Sequence, residues 1–370
     1  MKEDVIKAFF NNEMPEKRPS KETLNHTGVI YLASGIDPYE NTQKAYMEAY
    51  ESLGIDILNR VPSEKNVVRL LKPGESIDAG NGYVRSYLGL YDTFFRQRFP
   101  FANEDDFFSC ENFDLDYRKM INPTPHHLDV DLINKKVEIA GDIGSYYYQY
   151  YNTLFMWPVE YLGWEVFMVA ATMDPEEFDR KFLQKAYDTS LRDIKTLVQA
   201  EHQLLFLHDD LASKDGPMFN PEWYKKYIFP RYPSLWEPIK NCGKKVIVVA
   251  DGNMEYFLPI LHDMGADGVM LENPATNLDR ILEIFGDRII ICGMETVLLT
   301  FGTPEEIKKK VYEIAEKTRN IPGFAICSPG GLHNNIPMEN IIAYFDARVE
   351  YGFTKRGWQK GEIEKAKALI

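Results

Sequence analysis

KKVIVVADGN (244–253), GVMLENPA (268–275), RIIICGMET (288–296) and GFAICSPGG (323–331) follow one another through the second half of the chain. Each is a short apolar run that stops on residues able to do chemistry: Asp251, then Glu272, then Cys292 and Glu295, then Cys327. Continuous apolar runs of this length read as strands buried on both faces. Amphipathic helical patterns separate them. Strand–helix units repeated in this way predict a parallel sheet under a layer of helices, and four in succession predict a (β/α)8 TIM barrel. In that fold the active site collects at the carboxyl ends of the strands, where these residues fall.

Working outward, QLLFLHDDLA (203–212) reads as a further buried strand whose apolar run stops at His208-Asp209-Asp210. GVIYLASG (28–35) reads as the first strand and NTQKAYMEAYESLGID (41–56) as the helix after it. VEIAGDIG (137–144) is strand-like and ends on Asp142. The tyrosine run at 146–151 is either a substrate wall or a set of rings packing a helix against the barrel. Helix starts are signalled at Asp174-Pro175 with Glu177, at Asn220-Pro221-Glu222, and at Thr303-Pro304-Glu305-Glu306. Residues 61–125 are irregular and rich in aromatics and charge, and are expected to be an insertion packed over the barrel mouth. The tail RGWQKGEIEKAKALI (356–370) reads as a surface helix. No linker interrupts the pattern, so residues 1–370 are expected to form one domain.

A chain of 370 residues is long for a barrel of about 250 and fits one with insertions. A hydrophobic share of 45% is enough for a large core. The net charge of −14 argues against nucleic acid, whose phosphates need Lys and Arg, and against an anionic membrane surface. No apolar run reaches the length of about 18 residues that spans a bilayer. The charged N-terminus MKEDVIKAFFNNEMPEKRPS lacks a signal-peptide core, which makes the cytoplasm the default compartment. Cys110, Cys242, Cys292 and Cys327 are far apart and fit no disulfide framework, so they read as reduced thiols.

Within the expected mouth, Asp209 and Asp210 are adjacent carboxylates, and one of such a pair can orient a substrate or act as general acid or base. His208 reads as a proton shuttle or as a satisfied histidine beneath the site. Asp251-Gly252-Asn253 forms a tight turn, with Asp251 the foremost site residue and Asn253 a substrate contact. Glu272 ranks second. Glu295 either faces substrate or caps the next helix. Asp142 is a further substrate-binding candidate. Cys327 reads as a ligand, a methyl-accepting thiol or a small buried side chain, and Cys292 as core. Asp215 reads as a turn residue. The SPGG turn (328–331) offers backbone N–H groups to an anion.

Residues 204–346 resemble the uroporphyrinogen decarboxylase superfamily. The densest likeness is HDDLASKDGPMFNPEWYKKYIFPRYPSLWEPIKNCGKKVIVVADGN (208–253). LHDMGADGVMLENPA (261–275), GTPEEI (302–307) and CSPGGLHNNIPMENIIAYFDA (327–347) add to it, with LGWEVFMVAATMDPEEF (162–178) more weakly. The resemblance implies a (β/α)8 barrel and does not fix the reaction. Uroporphyrinogen decarboxylase itself carries an arginine-rich RQAGR segment that holds substrate carboxylates, whereas this chain has EKRPSKETLNHTG (16–28) there. The related zinc methyltransferases that serve corrinoid proteins carry a His-x-Cys at a strand end and a later Cys. Here those positions read Val249, Asp251 and, near the last, Gly331. Asp251, Glu272 (close to where the methionine synthases place a zinc-binding Glu), and Cys327 or His333 are the substitutes the resemblance leaves as zinc ligands.

The function this implies is metal-assisted methyl transfer with a corrinoid protein as partner, beside a small-molecule substrate; a homodimer is within the expected assemblies. One alternative is decarboxylation of a tetrapyrrole or other carboxylate, with Asp142 or Asp251 stabilising a cationic intermediate. The other is a non-catalytic barrel that binds a corrinoid or tetrapyrrole.

Overall fold

A computed structural model describes residues 2–62, 71–80, 82–115, 128–353 and 358–370. Its strands, in chain order, are β1 (Ile57–Leu58), β2 (Ser76–Gly80), β3 (Tyr83–Ser86), β4 (Thr93–Arg96), β5 (Ser145–Tyr150), β6 (Leu204–His208), β7 (Ala212–Ser213), β8 (Gly216–Pro217), β9 (Lys245–Ala250), β10 (Gly268–Leu271), β11 (Ile289–Gly293) and β12 (Phe324–Cys327). Seven of them form one parallel sheet in the order β1-β5-β6-β9-β10-β11-β12.

Residues 20–21 close it. Ser20 bridges Ile326 of β12 and Lys21 bridges Ile57 of β1, both in parallel. Lys21 N donates to Ile326 O at 3.0 Å and Ile57 N to Ser20 O at 3.1 Å. With this eighth position both sheet edges are paired, and the architecture is the expected (β/α)8 barrel. The first barrel position is therefore 20–21, not 28–35. Residues Thr27–Ser34 are a helix instead, capped by the His26 side chain at one end and left-handed Gly35 at the other. It is buried on nearly every side, and periodicity alone cannot separate so short an apolar run from a buried strand.

A second correction concerns 137–144. Val130–Ala140 is a helix, started by Asp129 accepting from Leu132 N, and Gly141–Ile143 is a single tight turn. Its apolar residues Val130, Ile133, Val137 and Ala140 follow helical spacing. The strand is the tyrosine run itself, β5, and its outward rings pack helices against the barrel, as the second of the two readings expected. Tyr146, Tyr148 and Tyr150 point outward to the helices, and Tyr147 points into the barrel against Phe206, 3.9 Å between ring centroids.

The inner core comprises residues such as Ile57, Phe206, Ile247, Val249, Met270, Ile291 and Ala325, with Phe9 of the helix Lys2–Phe10 plugging the amino end. The larger core lies between barrel and helices. Asn220 and Thr303 cap their helices as read from the sequence, the latter with the full reciprocal Glu306 bond. Asp174 accepts from Glu177 N, but Glu177 turns to Arg180 instead of closing a box.

Of the insertion, 63–70, 81 and 116–125 lie outside the described residues, as do 356–357 of the tail. The rest carries the antiparallel sheet β2-β3-β4 and the helix Glu104–Ser109. It meets the barrel at segments that follow strand ends: Leu90 N donates to Asn25 O, Asn334 N to Leu88 O, and Arg96 Nη1 to Glu160 O at 3.2 Å. The tail contains the short helix Ile363–Lys367.

Candidate active site

At the carboxyl ends of β6 and β9, three side chains converge. His208 is the last residue of β6, Asp210 lies two residues on, and Asp251 follows β9 directly. One ligand atom from each lies within 4.8 Å of the others. His208 Nε2 is 2.8 Å from Asp210 Oδ1, and that same oxygen accepts from Asp251 N at 2.8 Å. The parallel register places His208 beside Val249, which brings the two loops side by side. The turn at 251–253 exists because Gly252 takes φ +79 with its Cα against Ala212 O, where a Cβ would stand 2.3 Å from that oxygen.

The electrostatics follow from crowding acids in a partly buried mouth. Burial pushes Asp251 up to about 6, reinforced by the Asp210 charge and opposed by His208. Burial and the Asp210 charge also raise Glu272, while a bond from the Gly252 backbone opposes them. Burial works upward on Asp210 too, yet His208 and the Asp251 amide hold it below the ordinary carboxylate value. Burial works downward on His208, but Asp210 and Asp251 outweigh it and keep its pKa raised.

Two more residues complete this wall: Gln149, which the sequence reading did not single out, and Tyr151, from the run read as a possible substrate wall. Gln149 Nε2 lies 3.2 Å from His208 Nδ1, and the Tyr151 ring meets the His208 imidazole edge-on at 4.5 Å. Period-2 alternation along SYYYQYY would have put Tyr147, Gln149 and Tyr151 on one face. A third, Glu160, is raised by burial and feels the charges of Arg96, His208 and Asp210. Nothing local in the sequence marks it.

The other expected site residues go elsewhere. Asp209 is 1% exposed and its carboxylate is fully bonded: Leu154 N reaches both oxygens, Met156 N donates at 2.8 Å and Tyr232 Oη at 2.8 Å. Burial raises it to about 6 against those bonds. It anchors the 152–156 loop and offers no free face to a substrate. Asn253 Oδ1 accepts from Glu255 N within its own turn. Glu295 pairs with Lys310, on the outer side among the residues of a cleft between the helices Leu278–Phe285 and Pro304–Lys317. Asp142 is exposed, three residues before β5 begins, and so lies at the amino end of the barrel, opposite the mouth.

Cys327 is fully buried beside Lys21 and is pushed up to about 12 by burial, so it is a neutral thiol outside the cluster. His333 is half-buried after β12, and burial lowers it. Cys292 is core, as expected. The group among the described residues whose geometry could hold a metal ion is His208, Asp210 and Asp251, with the Asp210 charge also felt by Glu272; the expected set was Asp251, Glu272 and Cys327.

The Uroporphyrinogen decarboxylase (URO-D) family model matches residues 161–351, just over half of the chain and the region that supplies this cluster. The chain belongs to the uroporphyrinogen decarboxylase family. Among curated members, it is 29% identical over 161 residues to the uroporphyrinogen decarboxylase of Carboxydothermus hydrogenoformans, covering 43% of this chain and 44% of that protein. It is 23% identical over 182 residues to the one from Pseudoalteromonas atlantica, covering 49% and 50%. The match thus spans about half the length of these relatives. A solved methyltransferase from Methanosarcina mazei shares the fold with a TM-score of 0.64 at 16% identity, covering 94% of this chain and 98% of that one. Family membership makes the chain an enzyme-family barrel, and no helix among the described residues is long and apolar enough to cross a membrane.

Proposed function

We propose that this barrel is a metal-assisted methyltransferase that exchanges a methyl group between a small molecule and a corrinoid carried by a partner protein. The observation that carries the reading is the convergence of His208, Asp210 and Asp251 within 4.8 Å at the mouth. One imidazole and two carboxylates are a donor set that zinc accepts, and Gln149 beside His208 is the kind of outer partner that orients a ligating ring. Crowded acids that hold protons above their usual range are the groups a bound cation would relieve. A divalent ion there, zinc foremost, would supply Lewis-acid activation of the methyl donor or acceptor. Glu272 would balance charge at the rim, Tyr151 would keep water from one side of His208, and the insertion, tied down through Arg96 and Asn334, would close the mouth. The absence of a thiolate among the ligands favours an ether or amine donor over a simple thiol.

The fold shared with a methyltransferase supports this reading, and so does the engagement of Lys17 and Arg18, two of the three cations in the 16–28 segment. Lys17 pairs with Asp56 at 3.3 Å, and Arg18 donates to Ala315 O, Thr318 and Tyr351 O, so neither is free to hold a porphyrinogen carboxylate. Cofactor-free decarboxylation is the second reading, favoured by the curated relatives, with Asp251 as the carboxylate facing a cationic intermediate.

The test is elemental mass spectrometry on unchelated protein, repeated on Asp251→Ala and Glu272→Ala. Close to one metal per chain, lost in Asp251→Ala, together with demethylation of free methylcobalamin, is the expected result. A metal-free native protein that releases carbon dioxide from uroporphyrinogen would sink the first reading in favour of the second.

A further inference from the structure

One acid at the mouth has no part in the cluster that could hold a metal. Glu160 lies on the helix Met156–Leu162, which follows β5 on the carboxyl side of the barrel, and β5 is the neighbour of β6. Asp209 fixes the start of that helix, because its carboxylate accepts from Leu154 N and, at 2.8 Å, from Met156 N. Asp209 stands between His208 and Asp210, so the first turn is pinned against the strand end that carries the cluster. Glu160 is four residues on from Met156, a rise of about 6 Å along the same helix face. Helical side chains lean toward the amino end of their helix, so that of Glu160 leans back toward this anchor. In keeping with that placement, its carboxyl feels the charges of His208 and Asp210.

The insertion covers the same helix. Arg96 of β4 donates from Nη1 to Glu160 O at 3.2 Å, and its guanidinium lies 5.3 Å from the centre of the Tyr83 ring and 5.7 Å from that of Tyr161. Phe99 fills the space at Gly163, where a Cβ would stand 2.9 Å from its ring. On the half-buried Glu160 carboxyl itself, Arg96, His208 and Asp210 act through charge and not through a hydrogen bond. Burial comes first and raises its pKa, Asp210 adds to that, and Arg96 and His208 oppose it. Tyr83, which also feels Glu160, is raised by burial and stays a neutral phenol. A carboxyl raised in this way holds its proton to higher pH than a surface glutamate, as a proton donor must. We propose that Glu160 delivers the proton taken up by the departing group of the substrate. This rests on methyl transfer as the reaction. There the bond between methyl and heteroatom breaks, and the methyl passes to a reduced corrinoid, whose electron pair makes the new bond. The heteroatom keeps the old pair and takes the Glu160 proton. Glu160 is left as a carboxylate near Arg96 and regains its proton from solvent.

The test is the pH profile of kcat for demethylation of methyl phenyl ether by the full chain, supplied with zinc and with free reduced cobalamin as methyl acceptor. The native rate should fall as pH rises through the pKa of Glu160, because only the protonated form donates. Glu160→Gln should lose roughly a hundredfold in kcat together with that falling limb. It should keep the native metal content and melt no lower, since Gln preserves the shape and removes a buried acid. The loss should be far smaller with methyl 4-nitrophenyl ether, whose phenolate departs with little help from an acid. Arg96→Met leaves Glu160 in place and removes a charge that lowers its pKa, so the falling limb should move to higher pH. An unchanged limb in either variant, an equal loss with both ethers, or loss of metal in Glu160→Gln overturns the proposal. Arg96→Met decides it where Glu160→Gln does not fold. A native protein inert toward both ethers that instead releases carbon dioxide from uroporphyrinogen would reject methyl transfer. The carbon that loses carbon dioxide also takes up a proton, so the same variants then read Glu160 in that reaction, and a falling limb retained in Glu160→Gln overturns its role alone. Inertness in both assays overturns both.

Discussion

At the scale of single residues, two neighbours in one sequence have opposite fates. Asp209 and Asp210 look equivalent as a pair, yet Asp209 turns outward to bind two amides and a phenol while Asp210 turns to His208 and the mouth. Alternation along an extended chain sends successive side chains to opposite faces, which is why only one of two adjacent acids can serve the site. Asp209→Asn would set an amide NH2 against donors already aimed at it, and is expected to cost on the order of 3 kcal/mol in urea unfolding. Metal content should survive in whatever fraction stays folded. His26 offers a residue-scale test of pH. Its Nδ1 accepts from Val29 N at the start of Thr27–Ser34, and burial first, with His333 adding, depresses it to about 4. The unfolded chain takes the proton near 6.5, so the stability from neutral His26 is complete above that pH. It is lost as pH falls toward 4, in total roughly 3 kcal/mol. His202, also lowered to about 4, adds to the same limb. Denaturant melts across pH 7 to 4 should therefore be shallower for His26→Asn, which keeps a capping oxygen and loses the proton site. An unchanged slope would refute that assignment.

At the scale of elements, the strand–turn that presents Asp251 depends on backbone shape as much as on its acid. Gly252 holds φ +79, and its closest neighbours are the Ala212 and Ser213 carbonyls of the β7–β8 hairpin. Gly252→Ala is expected to cost roughly 2 kcal/mol or more and to lower metal occupancy, because the hairpin and the Asp251 turn must part. Thermal melting and elemental analysis of one preparation read both effects. Strands β6, β9, β10, β11 and β12 were legible because each is a continuous apolar run buried on both faces. The early elements were not. The barrel position at Ser20–Lys21 has two bridged residues and no apolar run, and the residues that resembled a strand, 28–35, fall in a helix buried on nearly every side. β5 was hidden by its aromatics, whose rings serve both the inner and outer faces.

At the scale of the whole molecule, closure is the property with the largest consequence. Without residues 20–21 the sheet would run from β1 to β12 with two unpaired edges. Removal of residues 1–24 is expected to abolish a cooperative thermal transition and promote aggregation, seen by calorimetry and light scattering. A truncated chain that melts cooperatively would show that closure is dispensable. The same removal deletes Glu22, the buried partner of Arg348, and so leaves a charge without its counter-ion.

What the amino-acid order determined by itself is the repeated strand–helix pattern, the face on which the reactive residues gather, and the turn that carries Asp251. These are local properties, set by apolar periodicity and by a glycine at a position that admits little else. Which acids share a site was decided only by the tertiary structure. Lateral register between β6 and β9 brings His208 and Asp210 to Asp251 from more than forty residues away. Depth in the barrel takes Cys327 out of reach, and the direction of the chain sends Asp142 to the opposite end. Distances between side chains on different strands depend on how the sheet curls and closes, and no window of sequence contains that curvature.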